Sequence, residues 1–96
     1  MIKSFADKET RDFFAGKRVR RFAGIERQAA RRLQILESAD SIEDLMMLPS
    51  NRFEALGGNR KGQYSIRVND RWRLCFRFRD GEAHEAHDVE LVDYHR

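Results

Sequence analysis

Between Tyr64 and Phe78 apolar and polar side chains alternate with a period of two, first at Tyr64, Ile66 and Val68, then at Trp72, Leu74 and Phe76. Few structures other than a two-stranded antiparallel ribbon with one buried face satisfy that pattern. Both runs must bury the same face, and residues opposed across antiparallel strands share a face, so the connection sets the register. A two-residue loop would put Ile66 beside Arg73, whereas the three-residue loop Asn69-Asp70-Arg71 puts Ile66 beside Leu74 and is the one expected. The same register sets Arg67 directly across from Arg73, a like-charge pair costing about 0.2–1 kcal/mol unless an anion or a carboxylate lies between them. With Arg60, Lys61, Arg71 and Arg77 nearby, the second face is cationic and suited to hold phosphate. The plainer reading has these arginines solvated or paired with neighbouring acids.

A chain of 96 residues with 41% hydrophobic content, seven Phe and one Trp can fill one modest core, so a single domain over residues 1–96 is expected. The one cysteine, Cys75, excludes an internal disulfide framework and reads as a reduced structural thiol in an apolar strand. No run of about 18 apolar residues and no signal-peptide pattern occurs, which points to a soluble, cytoplasmic protein with no membrane partner. The net charge of +3 conceals a block structure. Residues 1–36 carry ten basic and four acidic side chains and residues 59–79 seven and one, while residues 37–58 carry one and five and residues 80–96 one and six. Such blocks suit a polyanion on one surface and leave acidic ground elsewhere.

Met1 to Phe5 reads as a short strand, followed by a helix that Asp7 caps, that runs through Phe13 and Phe14 and that Gly16 stops. From Phe22, apolar side chains recur at Ile25, Ala29, Leu33 and Leu36, the stripe of a second helix whose other side carries Arg20, Arg27 and Arg31. That basic side reads most simply as a solvated face. Ser41 with Asp44 forms a weak capping box for a short third helix carrying Leu45 and Leu48, which Pro49 ends. From Arg52 the period becomes two, with runs at Phe53 to Leu56, in the ribbon, and at Val89 to His95, separated by turn signals at Gly57-Gly58 and Asp80-Gly81. The order is an α+β pattern: an N-terminal strand and two to three helices packed on one face of a mostly antiparallel sheet.

The chain closes on Asp93-Tyr94-His95-Arg96, so the last strand delivers an acid, a phenol and an imidazole together. Alternation puts Asp93 and His95 on one side and Tyr94 on the other unless the strand twists or ends there. By itself the tripeptide is a weak motif and reads more simply as a frayed polar terminus. His84, His87 and Asp88 invite a metal reading, but His84 and His87 would face opposite ways on a strand, and nothing in the sequence asks for a metal or a cofactor.

The segment from Leu56 through Phe76, LGGNRKGQYSIRVNDRWRLCF, followed by Asp88-Val89-Glu90-Leu91-Val92-Asp93-Tyr94-His95 and preceded by Met1-Ile2-Lys3-Ser4-Phe5, closely resembles the HigB-like killer proteins of the RelE/ParE toxin superfamily. The resemblance covers essentially the whole chain and is least distinctive in the helical middle. It implies a RelE-like microbial RNase fold and a type II toxin that acts as a ribosome-dependent endoribonuclease, an mRNA interferase cleaving in the ribosomal A site. By position, Arg73 matches the arginine on the scissile phosphate, and Asp93, Tyr94 and His95 match the terminal trio implicated in cleavage. Some members have histidine and lysine where this chain has Glu54 and Gly57, so a base or phosphate contact they possess is missing here.

Metal-free RNA cleavage needs a base for the 2′-hydroxyl proton, cations on the charged phosphorane and an acid for the departing 5′-oxygen. Arg73 suits the cation, with Arg67 or Arg60 assisting and Lys61 and Arg71 completing an RNA-binding face, because a guanidinium fork fits phosphate bidentately. His95, with an ordinary pKa of about 6.5, can serve as base or acid, and Asp93 can act as base or orient an imidazole. Tyr94 can stack on a base or donate a proton. The resemblance also implies a HigA-like helix-turn-helix antitoxin, with operator DNA met only through that complex. Two other functions stay open at this level: a non-catalytic, ParE-like inhibitor of DNA gyrase, and a weakly active RNA-binding module resting on the ribbon's cations alone.

Overall fold

Strong local signals set the helical half. In this computed structural model, which describes residues 1–79 and 84–94, Asp7 accepts a hydrogen bond from the Thr10 N–H and opens α1 (Lys8–Phe14). Gly16, at φ 97°, lets the chain leave that helix through the left-handed region. Phe22 plugs a single 3-10 turn (Arg20–Phe22), and α2 (Glu26–Ser38) then buries Ala29, Leu33 and Leu36. Ser41 caps α3 (Ile42–Met46) by accepting from the Asp44 N–H. Leu48 does not join the core as its spacing suggests, because the helix has already ended at Met46, and it is left exposed with Met46 and Met47.

Four strands, β1 (Glu54–Ala55), β2 (Tyr64–Arg67), β3 (Trp72–Arg79) and β4 (Glu85–Asp93), pair antiparallel in that order. The ribbon has the expected register, with Ile66 opposite Leu74 and Arg67 opposite Arg73. The loop between them is the odd one: Asn69 Oδ1 accepts from the N–H groups of Arg71 (2.9 Å) and Trp72 (2.8 Å), an Asx-type turn that closes the hairpin. Ile66, Val68, Trp72, Leu74 and Phe76 point into one core with Phe22, Ile25, Leu33 and Leu36. The fold is thus α+β, and the alternate residues of the ribbon face away from the core.

Two expected strands are altered. The last one begins at Glu85, ahead of Val89, and the register of β3 and β4 shifts between Cys75 and Arg77. At that bulge Asp88 adopts φ 54°, and its N–H goes to Ser4 Oγ (2.9 Å) rather than into the β3–β4 ladder. The N-terminal segment makes only isolated parallel bridges, Ile2 to Ala86 and Phe5 to Val89, because the bulge interrupts a continuous ladder. It still covers the outer edge of β4, where buried Thr10 also accepts from the Leu91 N–H (3.1 Å). Cys75 is buried, as expected of a structural thiol. The turn signal at Asp80-Gly81 lies outside the described residues, and no described helix is long and apolar enough to cross a membrane.

Candidate active site

The outward face of the ribbon carries Ser65 and Arg67 on β2 and Arg73 and Cys75 on β3. Ser65 pairs with Cys75, so Arg73 is its diagonal neighbour, within reach of a long side chain. Arg73 Nε donates to Ser65 Oγ at 2.7 Å, and Nη2 donates to the Arg52 carbonyl at 2.6 Å. Arg52 presents that carbonyl from a left-handed conformation, φ 42°, which is unusual for a residue other than glycine. Glu54 Oε1 stands 3.8 Å from the same guanidinium. With its side chain only 14% exposed, Arg73 is a fixed cation, and its Nη1 has no protein partner among the described residues.

Around it a cavity of roughly 490 Å3 is lined by Arg52, Arg67, Arg71 and Arg73, the acids Glu54 and Asp70, and Asn69 and Tyr94. Four guanidinium groups against two carboxylates leave the lining positive. The cross-strand repulsion of Arg67 and Arg73 is relieved as the plainer reading expects, since Arg67 pairs with exposed Asp70 and Arg73 with Glu54. The first of these, with Asp70 fully open to solvent, contributes about 0.2–1 kcal/mol and yields readily to a stronger anion.

The terminal residues separate by strand parity. Tyr94 lies on the cationic side: its N–H donates to the Arg71 carbonyl, and its Oη is 3.7 Å from Cys75 Sγ. Burial, then the Cys75 contact, raises the Tyr94 phenol above its ordinary range, and burial likewise raises the Cys75 thiol. Asp93 sits opposite Trp72 and does not line the cavity; its carboxylate takes Arg71 bidentately, at 2.7 and 3.4 Å. His95 lies outside the described residues.

The remaining expected RNA contacts divide. Arg67 and Arg71 line the cavity, but Arg60 is turned toward Gln63 (3.0 Å) and Glu90 (3.3 Å), and exposed Lys61 does not reach the cavity. His87 hydrogen-bonds Glu85 at 2.9 Å, and Asp88 pairs with Arg77 at 3.5 Å. Three contributors were not singled out for these roles from the sequence: Ser65, the Arg52 carbonyl and Glu54 as a cavity carboxylate. Ser65 could have been found from the register alone, whereas Arg52 carries no local signal of its left-handed backbone.

Comparison with known proteins gives a consistent result. The model of RelE-like HigB toxins of type II toxin–antitoxin systems matches residues 3–95. Toxin HigB-1 of Vibrio cholerae is 42% identical over 85 residues, covering 86% of this chain and 90% of that protein. Among solved structures, a heterotetrameric YoeB–YefM toxin–antitoxin complex from Staphylococcus aureus aligns with a TM-score of 0.61 at 22% identity, covering 100% of this chain and 97% of the other. A YoeB/ParE toxin from Agrobacterium tumefaciens aligns at 0.57 and 14% identity, covering 97% and 99%. These two likenesses establish the fold. By the family match and the identity to the Vibrio protein, the chain belongs to the HigB-like toxins, the RelE-like toxins of type II toxin–antitoxin systems.

Proposed function

We propose that this toxin, acting as one domain over residues 1–96, is a metal-independent endoribonuclease that cleaves messenger RNA in the ribosomal A site and so arrests translation. The observation that carries the reading is the Arg73 guanidinium, held at Nε and Nη2 and lining one cavity with the carboxylate of Glu54 and the phenol of Tyr94. A fixed guanidinium stabilises the charge that develops on a phosphorane without reorganising as the reaction proceeds. Glu54, beside Arg73, is placed to take the 2′-hydroxyl proton, in place of the base that some relatives supply at this position. Tyr94, whose phenol is held protonated by burial, donates to the departing 5′-oxygen or stacks on a base. His95 keeps the acid–base role that its position implies. Asp93 orients Arg71 and, through the Arg71 carbonyl that Tyr94 meets, the end of β4.

The same reading gives the toxin a HigA-like helix-turn-helix antitoxin as partner, contact with operator DNA only through that complex, and a cytoplasmic site of action. The test is to programme ribosomes with a defined transcript, add the protein with and without 1,10-phenanthroline, which strips transition metals and leaves the magnesium the ribosome needs, and map 5′ ends. Cuts within the A-site codon that resist the chelator and disappear with Arg73→Ala are expected. Intact transcripts at concentrations that arrest growth would refute the reading, and DNA damage without transcript cleavage would favour a gyrase inhibitor.

A further inference from the structure

The cavity does not end at Arg71. A shallow groove continues from its Asn69-Asp70-Arg71 wall across Trp72 to Gly24 and Ala23, and Ala23 in turn borders a hollow flanked by Arg18 and Arg20. Three hollows sharing residues form one path, with arginines at both ends. The far pair is distinctive. The guanidinium groups of Arg18 and Arg20 are exposed and make no ion pair or hydrogen bond among the described residues. Arg21 beside them is committed, to Glu9 at 3.1 Å and over the Trp72 ring at 5.5 Å. The backbone under the far pair is firm, because Arg20 starts the 3-10 turn anchored by fully buried Phe22. Gly24 has no side chain to block the floor, and a Cβ there would meet nothing within 4 Å.

We propose that this path is a distal phosphate track, on which an RNA strand whose reacting phosphate sits at Arg73 runs past Arg71 and places a further backbone phosphate between Arg18 and Arg20. The inference rests on the reading of the cavity as an RNA site and extends it to substrate length. Unpaired guanidinium groups suit phosphate oxygens, and the apolar stretch between the two cationic ends accommodates sugar and base rather than charge. Asp70, on the shared wall, is the one acid lining the groove among the described residues, and Arg67 holds it.

The test uses uncleavable 2′-O-methyl RNA oligomers of about three and about eight nucleotides, titrated onto the whole protein over a range of salt. Three proteins are compared: wild type, Arg18→Ala/Arg20→Ala, and the charge-matched Arg27→Ala/Arg31→Ala on the outer face of α2. The Arg18/Arg20 variant should bind the long oligomer about ten-fold more weakly, with the salt slope lowered by about 0.7, the value for one phosphate contact on a single strand. Its affinity for the short oligomer should not change, and the Arg27/Arg31 variant should match wild type on both. Equal losses in the two variants would mean diffuse attraction, and no loss in either would mean no track; each overturns the proposal. Arg73→Ala separates the two levels of inference. If it leaves short-oligomer binding intact, the cavity reading fails and the track fails with it; if it abolishes that binding while the double variant behaves as wild type, only the track fails.

Discussion

The two faces of the β2–β3 ribbon are built from the same residues in alternation, yet they are held by different forces. On the inner face, Ile66, Leu74 and Phe76 are fully buried against Phe22 and the α2 stripe, and their contribution comes from area removed from water. On the outer face, Ser65, Arg67 and Arg73 are held by a few directional contacts, some local, as Arg67 to Asp70 and Arg73 to Ser65, and one, from Arg73 to the Arg52 carbonyl, reaching a segment 21 residues away. The inner face makes a rigid plate, and the outer face uses that rigidity to aim a cation. A site mounted on a strand pair is positioned more tightly than one on a loop.

This contrast breaks down if inner-face changes act on chemistry or outer-face changes act on folding. The largest effect is expected from Phe76→Ala, which should lose about 3–5 kcal/mol of unfolding free energy in a urea titration through the cavity it leaves. Arg73→Ala should slow cleavage about 100- to 1000-fold, the scale of losing a preorganised charge donor, while moving the urea midpoint little. Arg73→Lys should rescue little, because an ammonium cannot hold Ser65 and the Arg52 carbonyl and still offer a fork to phosphate. Ser65→Ala leaves the Arg73 Nε without its partner, and a fall in kcat of about ten-fold is expected with near-normal stability. A melting temperature that drops as far as that of Phe76→Ala would place Ser65 in the core rather than in the support of Arg73.

The pH dependence sharpens the same distinction. The folded chain holds the Cys75 thiol proton above its ordinary value of 9.0, so the unfolded chain releases it first. Stability is therefore unaffected below about pH 9 and falls as the pH rises from there through the folded value. Tyr94, raised from 10.0, adds to the decline at still higher pH. Cys75→Ala should flatten the first part of that alkaline limb in denaturant titrations at several pH values, and an unchanged limb would show that the thiol is not its source. The smallest effect belongs to Asp70→Asn: removing an exposed carboxylate from Arg67 should strengthen phosphate binding a few-fold at low salt and leave stability within about 0.5 kcal/mol.

Local chemistry made much of the fold legible. The period-two runs and the loop Asn69-Asp70-Arg71 determined the hairpin register, and with it the Arg67–Arg73 pair, because a slip of one residue would expose the whole apolar set. Asp7 and Ser41 announced their helices because a cap is a contact between residues three apart. The 3.6-residue stripe from Ile25 to Leu36 fixed which side of α2 is buried. Parity also foretold that Asp93 and Tyr94 would part company across the sheet.

The rest depended on which distant segments meet. That Arg52 turns left-handed and points its carbonyl at Arg73, that Glu54 enters the same cavity, and that Asp93 takes Arg71 while Arg60 takes Glu90 are outcomes of packing between segments some 20 to 30 residues apart. The bulge at Asp88 reduced an expected N-terminal strand to two bridges for the same reason: its backbone conformation answers to Ser4, more than 80 residues away. The sequence by itself determined which faces are greasy and which are charged, since that follows from neighbours along one strand or helix. Only the tertiary structure decided which charges converge, because convergence depends on long-range contacts that no local period encodes.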